Sequence, residues 1–137
     1  MHNTKTSILV IEDDEFMANL LQFLLERQSM KVTRVADGRS ALTLINQGHP
    51  CDAVLLDLML PQISGMQVLK HLQQHPDWTS KPVLVLSAID SGADIARAFQ
   101  AGAADYITKP FNPEELLARL VRCLAKQQGD GPGARCS

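Results

Sequence analysis

The chain has 137 residues, of which 45% are hydrophobic, and its 13 basic and 15 acidic side chains leave a formal net charge of −2. That is enough for one domain with a real core, and the charge gives no overall pull toward nucleic acid or an anionic membrane. Aromatics are only 4%, so the core must be built mostly from Leu, Val, Ile and Ala.

Short apolar runs alternate with longer segments of helical period. Residues 7–11 are apolar on both faces, as in a central parallel strand covered on both sides. The spacing then predicts a first helix with Phe16, Met17, Leu20, Leu21, Leu24 and Leu25 as its stripe. Residues 30–35 form a second strand. Asp37 can cap the second helix and Gly48 can end it. Residues 52–57 are the third strand, and Ser64 with Gln67 forms an S-x-x-Q capping box for the third helix. Residues 75–82 hold two prolines and read as a loop, with Trp78 packed over the domain edge. His71 and His75 lack a third metal ligand and read as solvated. The fourth strand covers 83–86, the fourth helix about 92–101 and the fifth strand 104–107. Asn112, Pro113 and Glu115 supply an N-cap, a first-turn proline and a capping glutamate. The fifth helix should bury Leu116, Leu117, Leu120, Val121 and Leu124.

The fold class is therefore α/β: a doubly wound (βα)5 parallel sheet of flavodoxin-like strand order 2-1-3-4-5. The domain is expected over residues 1–126. The glycine-rich stretch 127–137 reads as a disordered tail or a truncated linker. Three cysteines at unrelated spacings (Cys51, Cys123 and Cys136) suggest reduced thiols. No apolar run approaches the roughly 20 residues of a membrane span and no signal-peptide core is present, so a cytoplasmic location is expected.

In open parallel sheets, ligands bind beyond the carboxyl ends of the strands where strand order switches. Glu12, Asp13 and Asp14 follow the first strand. The third strand ends at Asp57, the fourth at Ser87, and the fifth leads to Lys109 and Pro110. Taken singly, each is better read as a cap, a turn residue or a solvated charge. Together on one rim they form a site. Crowded carboxylates repel, and a divalent cation removes that cost. An all-oxygen ligand set suits Mg²⁺ rather than zinc.

Four stretches carry a family resemblance: ILVIEDD at 8–14, VLLDLMLPQISG at 54–65, PVLVLSA at 82–88 and AGAADYITKPF at 101–111. In order and at these spacings, they resemble the receiver domain of bacterial response regulators. The resemblance implies a single-domain phospho-acceptor switch of a two-component system, not an enzyme with an external substrate. It implies Asp57 as phosphoacceptor and Asp13 as direct metal ligand, with Glu12 acting through water. The backbone carbonyl of Met59 would be a further Mg²⁺ ligand. Ser87 and Lys109 would contact the phosphoryl group, the Lys109–Pro110 peptide would be cis, and Asp14 would be spare. Ser87 and Tyr106 would be the switch pair, with Tyr106 turning inward as Ser87 moves toward the phosphoryl group.

The implied partners are a sensor histidine kinase or histidine phosphotransfer protein, and an effector protein or missing output domain. The chain would be a monomer or a weak phosphorylation-dependent dimer. The fourth helix, with Ile95 and Phe99 as its main large apolar residues, would be the mobile element. It would form the output face with the fifth strand and fifth helix.

Three rivals fit less well. A haloacid-dehalogenase-type phosphatase resembles the chain poorly, because Met59 stands where a second Asp is expected. A flavin or nucleotide module needs a glycine-rich phosphate loop where acids stand here. A receiver-like scaffold that no longer accepts phosphate conflicts with the complete residue set.

Overall fold

The computed structural model describes residues 5–129. The elements in chain order are β1 (Ser7–Ile11), α1 (Glu15–Glu26), β2 (Lys31–Val35), α2 (Gly38–Asn46), β3 (Ala53–Leu56), α3 (Gly65–Gln74), β4 (Val83–Ser87), α4 (Gly92–Gln100), β5 (Asp105–Thr108) and α5 (Pro113–Gly129). The five strands form one parallel sheet in the order β2-β1-β3-β4-β5, as the alternating pattern requires.

Successive residues of a strand point to opposite faces, so each buried strand feeds two cores. Leu9, Ile11, Val54, Leu56, Val83 and Val85 pack with residues of α2, α3 and α4 on one face. Ile8, Val10, Leu55, Leu84, Leu86 and Ile107 pack with α1 and α5 on the other. This two-sided burial is why β1, β3 and β4 read as unbroken apolar runs.

The caps form where the local sequence places them. Asp14 accepts from the amides of Phe16 and Met17 to start α1. Asp37 caps α2, and Gly48 follows it with φ 73°. Ser64 and Gln67 form the expected reciprocal box on α3. The Asn112 side chain accepts from the Glu115 amide. The Glu115 carboxylate binds Arg119 rather than returning to the cap.

Several expectations need correction. Phe16 is 75% exposed, and Val121 is 50% exposed. At 3.6 residues per turn, Phe16 lies about 140° round α1 from Leu21, and Val121 about 100° round α5 from Leu120. The buried stripes are Ala18, Leu21 and Leu25 on α1, and Leu116, Leu120, Cys123 and Leu124 on α5. Trp78 is buried inside the α2–α3 core rather than laid over its edge. The histidines are half-buried and bonded: His71 with the Asn46 side chain, His75 with the Asp77 amide. α5 runs through Gly129, three residues past the expected boundary, while residues 130–137 of the expected tail, Cys136 among them, lie outside the described residues.

Burial pushes the Cys51 thiol up from 9.0 to about 11 and raises that of Cys123 as well. Iodoacetamide at mildly alkaline pH should leave both unmodified in the native chain and alkylate both in urea, read by peptide mass spectrometry. Equal rates in the two states would place the thiols outside the core. The folded chain keeps the Cys51 proton between pH 9.0 and about 11, where the unfolded chain has lost it. Its contribution to stability therefore declines as pH rises through that window.

Candidate functional site

The site is built by the way β1 and β3 end beside each other. The Glu12 amide donates to Val35 and the Asp57 amide to Ile11, at 3.1 and 3.0 Å. Each bond extends a parallel ladder one residue beyond its strand, so both carboxylates leave the sheet at a fixed height. Glu12 and Asp57 are buried, at 4% and 5% exposure, and Asp13 beside them is exposed.

The loop after Asp57 is held tightly. The Gly65 amide donates to the Leu58 carbonyl at 2.8 Å. A Cβ on Gly65 would stand 2.3 Å from the Asp57 carbonyl oxygen, so only glycine lets α3 begin this close to β3. Met59 is largely exposed, and its amide donates to Asp57 Oδ1 at 3.0 Å.

Lys109 reaches this pair from the end of β5. Its Nζ donates to Glu12 Oε1 at 2.8 Å and to Asp57 Oδ2 at 3.2 Å. Its own amide is fixed on the Ser87 carbonyl at 2.9 Å, and the Lys109–Pro110 peptide is cis. Burial works to lower the Lys109 value, but Glu12 and Asp57 outweigh it and hold the ammonium charged. Burial pushes the Glu12 carboxyl up, with the nearby Asp57 charge adding to it and Lys109 opposing it.

Glu12, Asp13 and Asp57 each place a carboxylate oxygen within 4.8 Å of the others. The donors are all oxygen, which suits Mg²⁺ or Ca²⁺. Three carboxylates against one ammonium leave two negative charges in excess, the charge of one divalent cation. Asp14 takes no part in this set, because its carboxylate caps α1.

Ser87 ends β4 fully buried, and its Oγ accepts from the Ile89 amide at 3.2 Å. Tyr106 is 7% exposed, with its hydroxyl donating to the Ile89 carbonyl at 2.6 Å. Burial raises the Tyr106 hydroxyl above its ordinary value. The ring is buried in this conformation.

Asp105 is a buried acid with no role expected from its place in the chain. Its carboxylate accepts from Arg119 and Arg122 of α5 at 2.9 and 3.2 Å, and from the Tyr106 amide at 2.8 Å. It fastens α5 to the start of β5, one residue from the aromatic ring.

The family model of the response regulator receiver domain matches residues 8–121. The chain belongs to this family. It is 42% identical over 125 residues to the sensory transduction protein RegX3 of Mycobacterium tuberculosis, covering 91% of this chain and 53% of that protein. It is 38% identical over 127 residues to the alkaline phosphatase synthesis transcriptional regulatory protein PhoP of Bacillus subtilis, covering 93% and 52%. Among solved structures, the receiver domain of Francisella response regulator 1452 matches with a TM-score of 0.81 at 32% identity, over 88% of this chain and 97% of that one.

The chain thus spans about half the length of the curated relatives it matches. As a receiver domain it is a module of two-component signalling, and its acidic pocket is of the kind with which receiver domains bind Mg²⁺. No helix among the described residues is long and apolar enough to cross a membrane.

Proposed function

We propose that Asp57 accepts a phosphoryl group from the phosphohistidine of a sensor kinase or phosphotransfer protein. The observation that carries this reading is the buried Asp57 carboxylate, held between Lys109 and the Glu12–Asp13 pair. Glu12, Asp13, Asp57 and the Met59 carbonyl are the residues that would hold Mg²⁺. Bound there, the ion would supply charge neutralisation to the phosphoryl oxygens.

The remaining work falls to the chain. Phosphoryl transfer requires in-line placement and charge stabilisation more than covalent chemistry. An Asp57 oxygen bonds to phosphorus as the P–N bond of the donor breaks, and the leaving imidazole nitrogen takes its proton from solvent. Lys109 follows the new charge with its ammonium, and the Ser87 hydroxyl turns from Ile89 to a phosphoryl oxygen. Ser87 engaged in this way favours the inward Tyr106 over an outward one. The proposed output surface is the α4–β5–α5 face, where Ile95, Phe99, Tyr106, Phe111, Glu115 and Arg119 line a cavity of about 380 Å³. α4 is suited to move, since Ala98 is its only fully buried residue. An effector protein or an output domain is the occupant.

Acetyl phosphate with Mg²⁺ should add one phosphoryl mass per chain, detected by intact-mass spectrometry. EDTA should suppress the addition, and Asp57→Asn should abolish it. Stoichiometric labelling of Asp57→Asn, or none of the wild-type chain, would overturn the assignment. The second result would favour a receiver scaffold that no longer accepts phosphate.

A further inference from the structure

The opposite end of the sheet carries a second concentration of charge. Lys5 precedes β1, Lys31 opens β2, and Lys81 lies just before β4. They are far apart in sequence and there look like scattered, solvated charges. Strand register gathers them: Ser7 pairs with Lys31, and Val54 with Val83. With His49, Cys51 and Asp52 they line a cavity of about 500 Å³, within the range of small-ligand pockets.

The frame of this cavity is cross-linked. The Lys31 amide donates to Thr6, the Asp52 amide to Ser7 and the Val54 amide to Pro82, at 2.8, 2.7 and 3.0 Å. The Asp52 carboxylate accepts from the Ser7 amide at 2.8 Å, which commits the one acid in the lining to the scaffold. Among the described residues, none of the three lysines is in an ion pair. Three lysines and one engaged carboxylate thus line the cavity, in a chain whose net charge is −2.

We propose that this cavity binds a small polyanion of the phosphate type, with pyrophosphate as its simplest form. Lysine ammonium groups are compact point charges with rotatable donors. As point charges they suit phosphoryl oxygens. Three lysines in one lining match more than one anionic group, and the apolar walls of Pro50 and Cys51 leave room for an uncharged body attached to it. The site is separate from the acidic pocket. Asp52 and Asp57 flank β3 five residues apart, a span of about 16 Å at strand rise.

The test is a titration of the full chain with inorganic pyrophosphate in EDTA, followed by amide NMR. Saturable shifts are expected at Ser7, Lys31, Asp52 and Lys81. A Lys31→Gln/Lys81→Gln double variant should bind about tenfold more weakly while its other resonances stay in place. Three results would overturn the proposal: no saturable shift up to roughly 10 mM, shifts confined to the Glu12–Asp57–Lys109 end, or unchanged affinity in the double variant.

Discussion

Lys109→Ala should take up phosphate from acetyl phosphate about 10²–10³-fold more slowly than the parent chain, the usual cost of removing one preorganised group that stabilises transition-state charge. The Lys109 ammonium contacts both Glu12 and Asp57 and is fixed through its backbone to the end of β4. It is therefore positioned before any phosphoryl group arrives. Lys109→Arg keeps the charge but replaces a compact donor with a wider planar one, so an intermediate rate is expected.

The same substitution should lower stability in EDTA. Breaking a buried ion pair by removing one partner typically costs about 3–5 kcal/mol. Lys109 retains some solvent contact, with 17% of its side chain exposed, so a loss of about 2–3 kcal/mol by urea unfolding is expected after discounting for screening. Divalent cation should restore much of it, because the carboxylates left facing each other regain a counter-charge. A parent-like labelling rate would remove Lys109 from the phosphoryl site. Unchanged stability with slowed labelling would instead confine its role to chemistry.

The strand ends were legible in the sequence for a definite reason. β1, β3 and β4 are apolar on both faces, so the first polar residue after each one marks the rim. Glu12, Asp57 and Ser87 stand at those points, and topology alone makes Glu12 and Asp57 neighbours. Asp105 escaped notice because its meaning depends on Arg119 and Arg122, which only the packing of α5 brings to it. The buried seat of Tyr106 was hidden in the same way, since it depends on the Ile89 carbonyl seventeen positions away. Phe16 misled because hydrophobicity alone was counted, and its angle on α1 carries it away from the sheet. Lys5, Lys31 and Lys81 show the converse, because charges dispersed along the chain become a cluster only through strand register.

Trp78→Ala should cause the largest loss of stability of any single change considered for this chain. Trp78 is the only tryptophan in the sequence and is 1% exposed. Its Nε1–H donates to the Ile45 carbonyl at the end of α2, at 3.1 Å. The ring packs in the core that α2 and α3 share with one face of the sheet. Two turns hold it there: the Trp78 amide donates to His75, and the Lys81 amide to the Trp78 carbonyl. A buried Trp truncated to Ala costs about 3–5 kcal/mol in lost transfer energy and cavity, while the Ile45 carbonyl keeps the Gly48 amide as a donor. At roughly 3–5 °C per kcal/mol for a domain of this size, Tm should fall by about 10–20 °C, measured by circular dichroism because the variant lacks the fluorophore. Trp78→Phe keeps most of the ring and loses the N–H donor, so it should recover more than half of that loss. In both variants the folded fraction should still label at Asp57, since the indole lies at the α2–α3 core rather than on the acidic rim. A Tm within a few degrees of the parent for Trp78→Ala would mean the ring is peripheral after all, as the proline-bearing loop around it first suggests.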